Sequence, residues 1–350
     1  IAEVLKAKGY HTACIGKWHL GDQPPFLPTR QGFDYYFGIP YSDDMTPRPG
    51  YDWPPLPLME NERVIEAPVD RNLLTKRYTE KTIQFIERHK DVPFFVYLPH
   101  AMPGSTRAPF ASEAFRGKSA NGPYGDSVEE LDWSTGQILA TLRRLGLDER
   151  TLVIWTSDNG APRRNPPQGS NAPLAGWGYT TMEGGMRVPL IARWPGHIAA
   201  GTVCHELATM MDLLPTLAHL AGAQPPTDRL IDGHDIWPLL SGSPNAKTPY
   251  EAFFYYFTDR LYAVRSGPWK LHLAIRDARR NTRSGRPMDR LLLYNLRQDI
   301  GETKNLAATR PDVVERLLAY AEKARQDLGE GTHRTATCRP AGRVENPRPQ

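Results

Sequence analysis

The sequence has few cysteines, no long apolar run and little excess charge. Its three cysteines, Cys14, Cys204 and Cys338, are an odd and widely spaced set that gives neither a disulfide framework nor a zinc-ligand pattern. No apolar run approaches the length that spans a bilayer, so we expect no membrane partner. A net charge of +4 gives no reason to expect nucleic acid as a partner. Because the first residue is Ile1 and not Met, the lack of a signal-peptide pattern excludes nothing about targeting.

The overall composition is that of an ordinary globular protein: 40% of the 350 residues are hydrophobic and 23% are charged. Continuous apolar segments predict buried strands at 11–15, 93–99, 151–156 and 188–194. The helical period predicts helices at 71–90, 126–145 and 209–221. Strands of this kind, separated by helices, indicate an α/β fold with a mixed, mostly parallel sheet covered on both faces. We expect Val128 on the inner side of its helix, and the proline-rich segment 22–68 to be mostly loop.

From about residue 247 the pattern changes to short strands at hairpin spacing. These lie at 250–257, 262–265, 270–275 and 291–296, and a helical pattern follows at 311–328. We therefore predict a catalytic domain at 1–246, a small antiparallel sheet with a helix at 247–330, and a polar tail at 331–350. Arginines crowd one hairpin-like loop, either as a solvated basic loop or as a contact for a polyanion such as a sulfated glycan. They are Arg276, Arg279, Arg280, Arg283, Arg286 and Arg290.

Two charged or titratable side chains follow the first predicted strand. Lys17 and His19 are two residues apart, so in an extended backbone both point to the same side. Lysine supplies a positive charge for an anionic substrate, and histidine exchanges a proton near neutral pH. The alternative is a surface loop with an incidental histidine. Further along, Ser42 precedes Asp43 and Asp44, where a solvated turn is the simpler interpretation and a neighbour of a metal site is the other.

Polar residues also follow two later strands. Asp158 and Asn159 come after 151–156 and offer the oxygen ligands that calcium prefers, although calcium takes about six to eight. The alternative is an ordinary Asp-Asn-Gly turn. His100 follows 93–99 and is either a turn residue or a general acid. Glu183 and Arg187 flank a glycine pair, and we expect them to have a structural role, with a possible ion pair across the turn.

Together these segments resemble the sulfatase family of the alkaline-phosphatase-like superfamily, and most of all its arylsulfatase and N-acetylgalactosamine-6-sulfatase-like members. The resemblance rests on Gly-Lys-Trp-His-Leu-Gly at 16–21, Ser-Asp-Asn-Gly at 157–160 and Glu-Gly-Gly at 183–185. Further ordered matches lie at 32–34, 38–42, 98–100, 186–189, 212–216 and 293–296, and at 299 and 301–302.

The resemblance implies a sulfuric ester hydrolase that releases sulfate from a sulfated carbohydrate or an aryl sulfate. It implies a formylglycine nucleophile and one Ca²⁺ for each active site. By resemblance, Lys17 contacts the sulfate, His19 assists breakdown of the sulfated hemiacetal, and His100 protonates the leaving oxygen. Ser42 contacts the substrate or its surroundings, and Asp158 and Asn159 are metal ligands. The family habit places such proteins in the periplasm, outside the cell or in lysosomes.

The chain departs from the family pattern in several places. Gly178 stands where the family usually has a lysine, unless Arg163 or Arg164 replaces it, and Gly104 stands where many relatives have a second histidine. The nucleophile and further calcium ligands are expected upstream of Ile1, so we expect no turnover by this chain alone. Cys338 lacks an arginine four residues later and is rejected as the nucleophile. Two alternatives stay open: a phosphoester or phosphonate hydrolase of the same superfamily, and a non-catalytic sulfated-glycan-binding relative.

Overall fold

The computed structural model describes residues 1–104, 106–165, 168–274 and 289–348. The strands are β1 (His11–Ile15), β2 (Tyr35–Gly38), β3 (Leu58–Glu60), β4 (Arg63–Glu66), β5 (Phe94–Tyr97), β6 (Val153–Thr156), β7 (Leu190–Arg193), β8 (Phe253–Phe257), β9 (Arg260–Ser266), β10 (Trp269–His272) and β11 (Leu292–Asn295). The α-helices are α1 (Ala2–Lys6), α2 (Leu74–Arg88), α3 (Gly122–Arg144), α4 (Glu183–Met186), α5 (Leu213–Leu220), α6 (Trp237–Leu240) and α7 (Pro311–Leu328).

The largest sheet is mixed and has the order β4-β3-β2-β1-β5. β1 pairs in parallel with β2 and with β5, whereas β3 and β4 are antiparallel. Successive residues of β1 point to opposite faces: Ala13 and Ile15 pack with Leu74 and Tyr78 of α2, while Cys14 packs on the other side. Both faces are therefore covered, which confirms the predicted fold class.

The segment 22–68 contains more regular structure than its sequence predicts. It forms β2, β3 and β4, which extend the sheet on one side of β1. The segment is nevertheless mostly irregular, as predicted, because these strands are only three or four residues long. Strands of that length show too little of a two-residue period to stand out among prolines.

Two other details differ from expectation. β6 and β7 pair antiparallel with each other, and among the described residues they form a separate two-stranded sheet. In α3, Val128 is 41% exposed and faces outward. The inner face of that helix instead buries small polar side chains such as Ser134, whose Oγ accepts a hydrogen bond from Thr79 of α2 at 2.6 Å. Small polar residues let the two helices approach closely. The spacing of apolar residues in the sequence does not predict a buried face made of such polar residues.

A second, wholly antiparallel sheet has the order β11-β10-β9-β8, and α7 packs against it. Leu261, Leu271, Leu293 and Leu317 form the middle of its core. The strand and helix patterns predicted for this region are confirmed, whereas the division into domains at 246 and 330 stays a prediction. Of the loop arginines, Arg276, Arg279, Arg280, Arg283 and Arg286 lie outside the described residues, and Arg290 is exposed. Across the described residues, no helix is both long and apolar enough to span a bilayer.

Candidate active site

The segment after β1 is held on both sides by main-chain hydrogen bonds. Their N–H···O distances are 2.9 Å for Gly16 to Phe37, 2.7 Å for Lys17 to Pro99, 3.0 Å for Trp18 to Ile39 and 3.0 Å for His19 to Pro40. Gly16 has a φ of +141°, and a Cβ there would lie 2.1 Å from the Pro99 carbonyl oxygen. Only glycine fits this close approach. The glycine before the lysine therefore lets the backbone continue between both neighbours and present Lys17 at the carboxyl end of the sheet.

The structure brings the two predicted motifs together. The Nζ atom of Lys17 lies 3.7 Å from a carboxylate oxygen of Asp158. Lys17 is mostly covered, whereas the Asp158 side chain is 71% exposed. The exposed His19 lies beside this pair with a left-handed φ of +57°. Partial burial and the Lys17 charge lower the pKa of His19, although nearby Asp44 and Asp158 oppose this shift.

The loop that carries Asp158 and Asn159 closes against a second glycine-containing segment. The Gly160 N–H donates to the carbonyl of Gly185 at 3.1 Å, and a Cβ on Gly160 would lie 1.8 Å from the Gly184 carbonyl oxygen. The Ser157 hydroxyl donates to the Asn159 carbonyl at 3.0 Å. The geometry fixes the backbone of the loop and leaves the two ligand-type side chains at its outer edge.

These two side chains fit calcium in chemistry but not in number. A carboxylate and an amide are hard oxygen donors, which calcium prefers, and Lys17 lies near enough to compete for Asp158. Over the described ranges, however, no group of three or more His, Cys, Asp or Glu side chains converges on one point. Asp158 and Asn159 can therefore supply two ligands of a calcium ion, and the other oxygens must come from different groups.

His100 follows β5 and points toward the helices that cover the sheet. Its Nε2 lies 3.4 Å from the Ser134 hydroxyl oxygen, and its ring centroid lies 6.3 Å from that of Tyr78. Its Nδ1 is buried and has no hydrogen-bond partner within the described part of the chain. Burial lowers the pKa of His100 to about 4, so its ring is neutral at pH 7. Serving as a general acid would require a nearby anion to raise this pKa.

Ser42 and Asp43 are both buried, which differs from the solvated turn expected from the sequence. The Ser42 carbonyl accepts from the Met45 N–H at 3.0 Å, as a turn requires, but its side chain is covered. Asp43 is fully buried next to Gly104, which has a φ of +63°. A Cβ at Gly104 would lie 2.7 Å from a carboxylate oxygen of Asp43. The glycine at position 104 therefore belongs to the packing around this carboxylate.

Gly178, where the family pattern has a lysine, is also enclosed. Its N–H donates to the Ala161 carbonyl at 2.9 Å. A Cβ on Gly178 would lie 2.3 Å from the Gly160 carbonyl oxygen and 3.3 Å from the Asn159 amide oxygen. No side chain fits there without movement of the loop that carries Asn159. Of the two arginines considered as replacements, Arg163 is exposed and Arg164 is partly buried.

The Glu183 side chain does not pair with Arg187, as the sequence suggested. Its fully buried carboxylate lies 2.9 Å from the Nζ of Lys270 and 3.1 Å from the guanidinium of Arg265, and it accepts a hydrogen bond from the Tyr255 hydroxyl at 2.7 Å. These cations outweigh the desolvation and lower the pKa of Glu183 to about 2. All three partners come from the second sheet, so no local sequence pattern could identify them.

A second buried carboxylate completes this network. Glu302 accepts a hydrogen bond from the Glu183 main-chain N–H at 2.9 Å. Its other oxygen lies 2.7 Å from the Nε2 of His272 and 3.4 Å from the Nζ of Lys270. Gly184 and Gly185 follow Glu183 directly, and their main chain contacts Gly160 of the Asp158–Asn159 loop. This stretch of main chain is the one peptide layer that separates the network from the loop.

Comparison with known proteins identifies the family of the chain. The sequence model described as sulfatase matches residues 1–223, and the one described as N-sulphoglucosamine sulphohydrolase, C-terminal, matches residues 179–326. The chain belongs to the sulfatase family. The family assignment made from the motifs is thereby confirmed.

Several sulfatases resemble the chain over most of its length. N-acetylgalactosamine-6-sulfatase of Mus musculus is 42% identical over 286 residues, which cover 78% of this chain and 54% of that protein. Arylsulfatase A of Homo sapiens is 38% identical over 356 residues, covering 91% and 69% respectively. The crystal structure of the PsFucS1 sulfatase from Pseudoalteromonas sp. matches with a TM-score of 0.79 at 25% identity, covering 93% of this chain and 72% of that one. The chain spans about half the length of the N-acetylgalactosamine-6-sulfatases that it matches.

Proposed function

We propose that this sulfatase-family chain takes part in sulfuric ester hydrolysis, releasing sulfate from a sulfated carbohydrate or an aryl sulfate. The observation that carries the proposal is the 3.7 Å approach of the Lys17 Nζ to the Asp158 carboxylate. A cation from the segment after β1 thus lies beside two oxygen-bearing side chains from the loop after β6, which supports a sulfate site next to a divalent metal. An anionic sulfate ester is the substrate class that such a mixed-charge site recognises.

In the proposed reaction Lys17 holds the sulfate group. The side chain is mostly covered by protein, so its charge is screened less than that of a fully exposed lysine. A positioned cation stabilises the negative charge that develops on sulfate oxygens in the transition state. Calcium, held in part by Asp158 and Asn159, would supply further charge stabilisation when bound.

The two histidines are the candidates for proton transfer. His19 is exposed at the rim and its pKa is lowered, so it is mostly neutral at pH 7 and can accept a proton. His100 is neutral as well, and it becomes an acid only if the bound sulfate ester raises its pKa. Ser42 is proposed as a neighbour of the substrate, although its covered side chain would need to move to touch it.

The proposal is tested by assaying sulfate release from an aryl sulfate and from a sulfated N-acetylgalactosamine, using both this chain and the product of the coding sequence extended upstream of Ile1. Lys17→Met is expected to lower kcat/KM by roughly a hundredfold or more, as loss of a charge-stabilising group does. The exposed Lys304→Met serves as the matched control. Sulfate release that is unaffected by Lys17→Met would contradict the assigned role.

The same experiment distinguishes the proposed sulfatase from two alternative functions. An aryl phosphate cleaved faster than the aryl sulfate would favour the phosphoester or phosphonate hydrolase. The glycan-binding alternative is supported by Gly178, where the packing leaves no room for a cationic side chain. Tight binding of a sulfated glycan without hydrolysis by the extended protein would favour that alternative. We further propose a periplasmic, extracellular or lysosomal location, on the family resemblance alone.

A further inference from the structure

One tyrosine at the rim of the candidate site has an unfavourable backbone conformation. Tyr179 has a φ of +71° and is the third residue of a turn in which the Thr180 N–H donates to the Trp177 carbonyl at 3.0 Å. Glycine or asparagine is favoured at the third position of a turn with positive φ. A bulky residue there costs roughly 1–2 kcal/mol. The Thr180 hydroxyl, which donates to the same carbonyl at 2.7 Å, holds the turn in place.

Burial does not account for a tyrosine at this position. Its side chain is 54% exposed. Within the described part of the chain it makes no hydrogen bond, ion pair or ring contact. Backbone strain that no folded contact offsets is concentrated at functional sites, where a ligand supplies the missing interaction. Tyr179 therefore combines a strained backbone with an exposed aromatic ring that has no polar or ring contact among the described residues.

The position of Tyr179 connects it with the candidate site. The preceding residue, Gly178, bonds to Ala161 and approaches the Asn159 amide oxygen so closely that a Cβ would lie 3.3 Å from it. The close packing leaves no room for a side chain at position 178, between Asn159 and the turn. Tyr179 is therefore an exposed aromatic residue that directly follows the residue packed against the metal-ligand loop.

We propose that Tyr179 is a specificity-determining residue whose ring stacks on the sugar that carries the sulfate ester, an inference that rests on the proposed function. Lys17 and the metal ligands act on the charged sulfate, whereas the apolar C–H face of a pyranose needs a flat, partly apolar surface. Tyrosine offers a large contact area and loses few rotatable bonds on binding. The stacking makes a sulfated saccharide a better ligand than inorganic sulfate alone.

The test is titration calorimetry of this chain with a sulfated N-acetylgalactosamine disaccharide and, separately, with inorganic sulfate. Tyr179→Gly is expected to weaken disaccharide binding by about tenfold, the loss that removal of one stacking ring produces, and to leave sulfate binding unchanged. Tyr179→Phe is expected to keep disaccharide affinity, because it keeps the ring. Tyr179→Gly is also expected to raise the Tm, because glycine adopts a positive φ without strain.

A matched control separates relief of strain from loss of stacking. Thr258 is exposed and has a φ of +53° in the loop between β8 and β9, far in sequence from the site. Thr258→Gly is expected to raise the Tm as well, with no change in disaccharide affinity. A Tyr179→Gly variant that binds the disaccharide as well as the original chain overturns the inference.

Failure of the inference is distinguishable from failure of the proposed function. Tyr179-dependent disaccharide binding without any sulfate release by the extended protein supports the stacking role and contradicts the hydrolase. Sulfate release with equal affinity for the disaccharide and for inorganic sulfate supports the hydrolase and overturns the stacking role. Absence of disaccharide binding by the original chain also overturns the stacking role.

Discussion

At two glycines beside the candidate site, the space for a single Cβ atom determines which residue fits. In sequence, Gly104 and Gly178 are departures from the family pattern at positions where a charged or titratable side chain is usual. In the structure a Cβ at either position would lie under 3 Å from another atom, a carboxylate oxygen of Asp43 in one case and the Gly160 carbonyl oxygen in the other. Both glycines are therefore parts of a packed arrangement, and replacing them does not simply restore a missing function.

Gly178→Ala is expected to lower the free energy of unfolding by about 1–3 kcal/mol, because the new Cβ forces the loop away from the Gly160 carbonyl. Urea unfolding measures this change. The control is Gly136→Ala in α3, where no described atom outside the adjacent residues and the helix's own backbone lies within 4 Å of the added Cβ. That replacement is expected to stabilise the protein by about 0.5–1 kcal/mol. Similar effects of the two substitutions would show that position 178 is not sterically restricted.

His100 makes the free energy of unfolding depend on pH. The folded state keeps the ring neutral down to about pH 4, whereas the unfolded chain binds a proton near the ordinary pKa of 6.5. Between these values the unfolded state binds more protons, so the contribution is complete above pH 6.5 and is lost as the pH falls toward 4. The expected loss is about 2–3 kcal/mol.

Guanidinium unfolding of the original chain and of His100→Gln at pH 7.0, 5.5 and 4.5 measures this contribution. The substitution removes the titrating group, so the stability difference between the two proteins is expected to change with pH. The control is His205→Gln, at an exposed histidine. A constant difference between the original chain and His100→Gln at all three pH values would contradict a buried neutral ring.

At the scale of the elements, charge joins the short helix α4 to the second sheet. Glu183 begins α4, and Lys270 of β10 and Arg265 of β9 contact its carboxylate. Removing one partner of a buried ion pair leaves an uncompensated charge, which costs more than the pair contributes as a whole. The network therefore specifies how α4 lies against the second sheet, even where its net stabilisation is small.

Lys270→Met is expected to destabilise the protein by about 3–5 kcal/mol, because it leaves Glu183 and Glu302 buried with one cation fewer. The same substitution at Lys247, which is 77% exposed beside Glu206, is expected to cost about 1 kcal/mol or less. Thermal and urea unfolding of the two variants test the comparison. Equal losses would mean that the Lys270 network is hydrated in solution.

Over the whole molecule, strands and helices are predicted best from the sequence where the pattern of buried residues is regular. The strand predicted at 11–15 is β1, and the helix predicted at 311–328 is α7, because each has a strong local pattern. The sequence also predicts that Lys17 and Asp158 each follow a strand, although their contact joins two different sheets. The burial of Asp43, the polar inner face of α3 and the partners of Glu183 depend on contacts between distant segments. The local periodicity of the sequence does not predict such contacts.

The contact between Glu302 and the Glu183 main chain also sets an order of events during synthesis. The two residues are 119 positions apart, and the second sheet supplies the other partners of Glu183. A ribosome releases the first sheet long before it releases Glu302, and contacts of such large separation form late. The peptide layer behind Asp158 and Asn159 therefore acquires its final support only after residue 302 has been translated. A chain stopped before residue 302 would carry every predicted site residue without the contact that holds Glu183 in place.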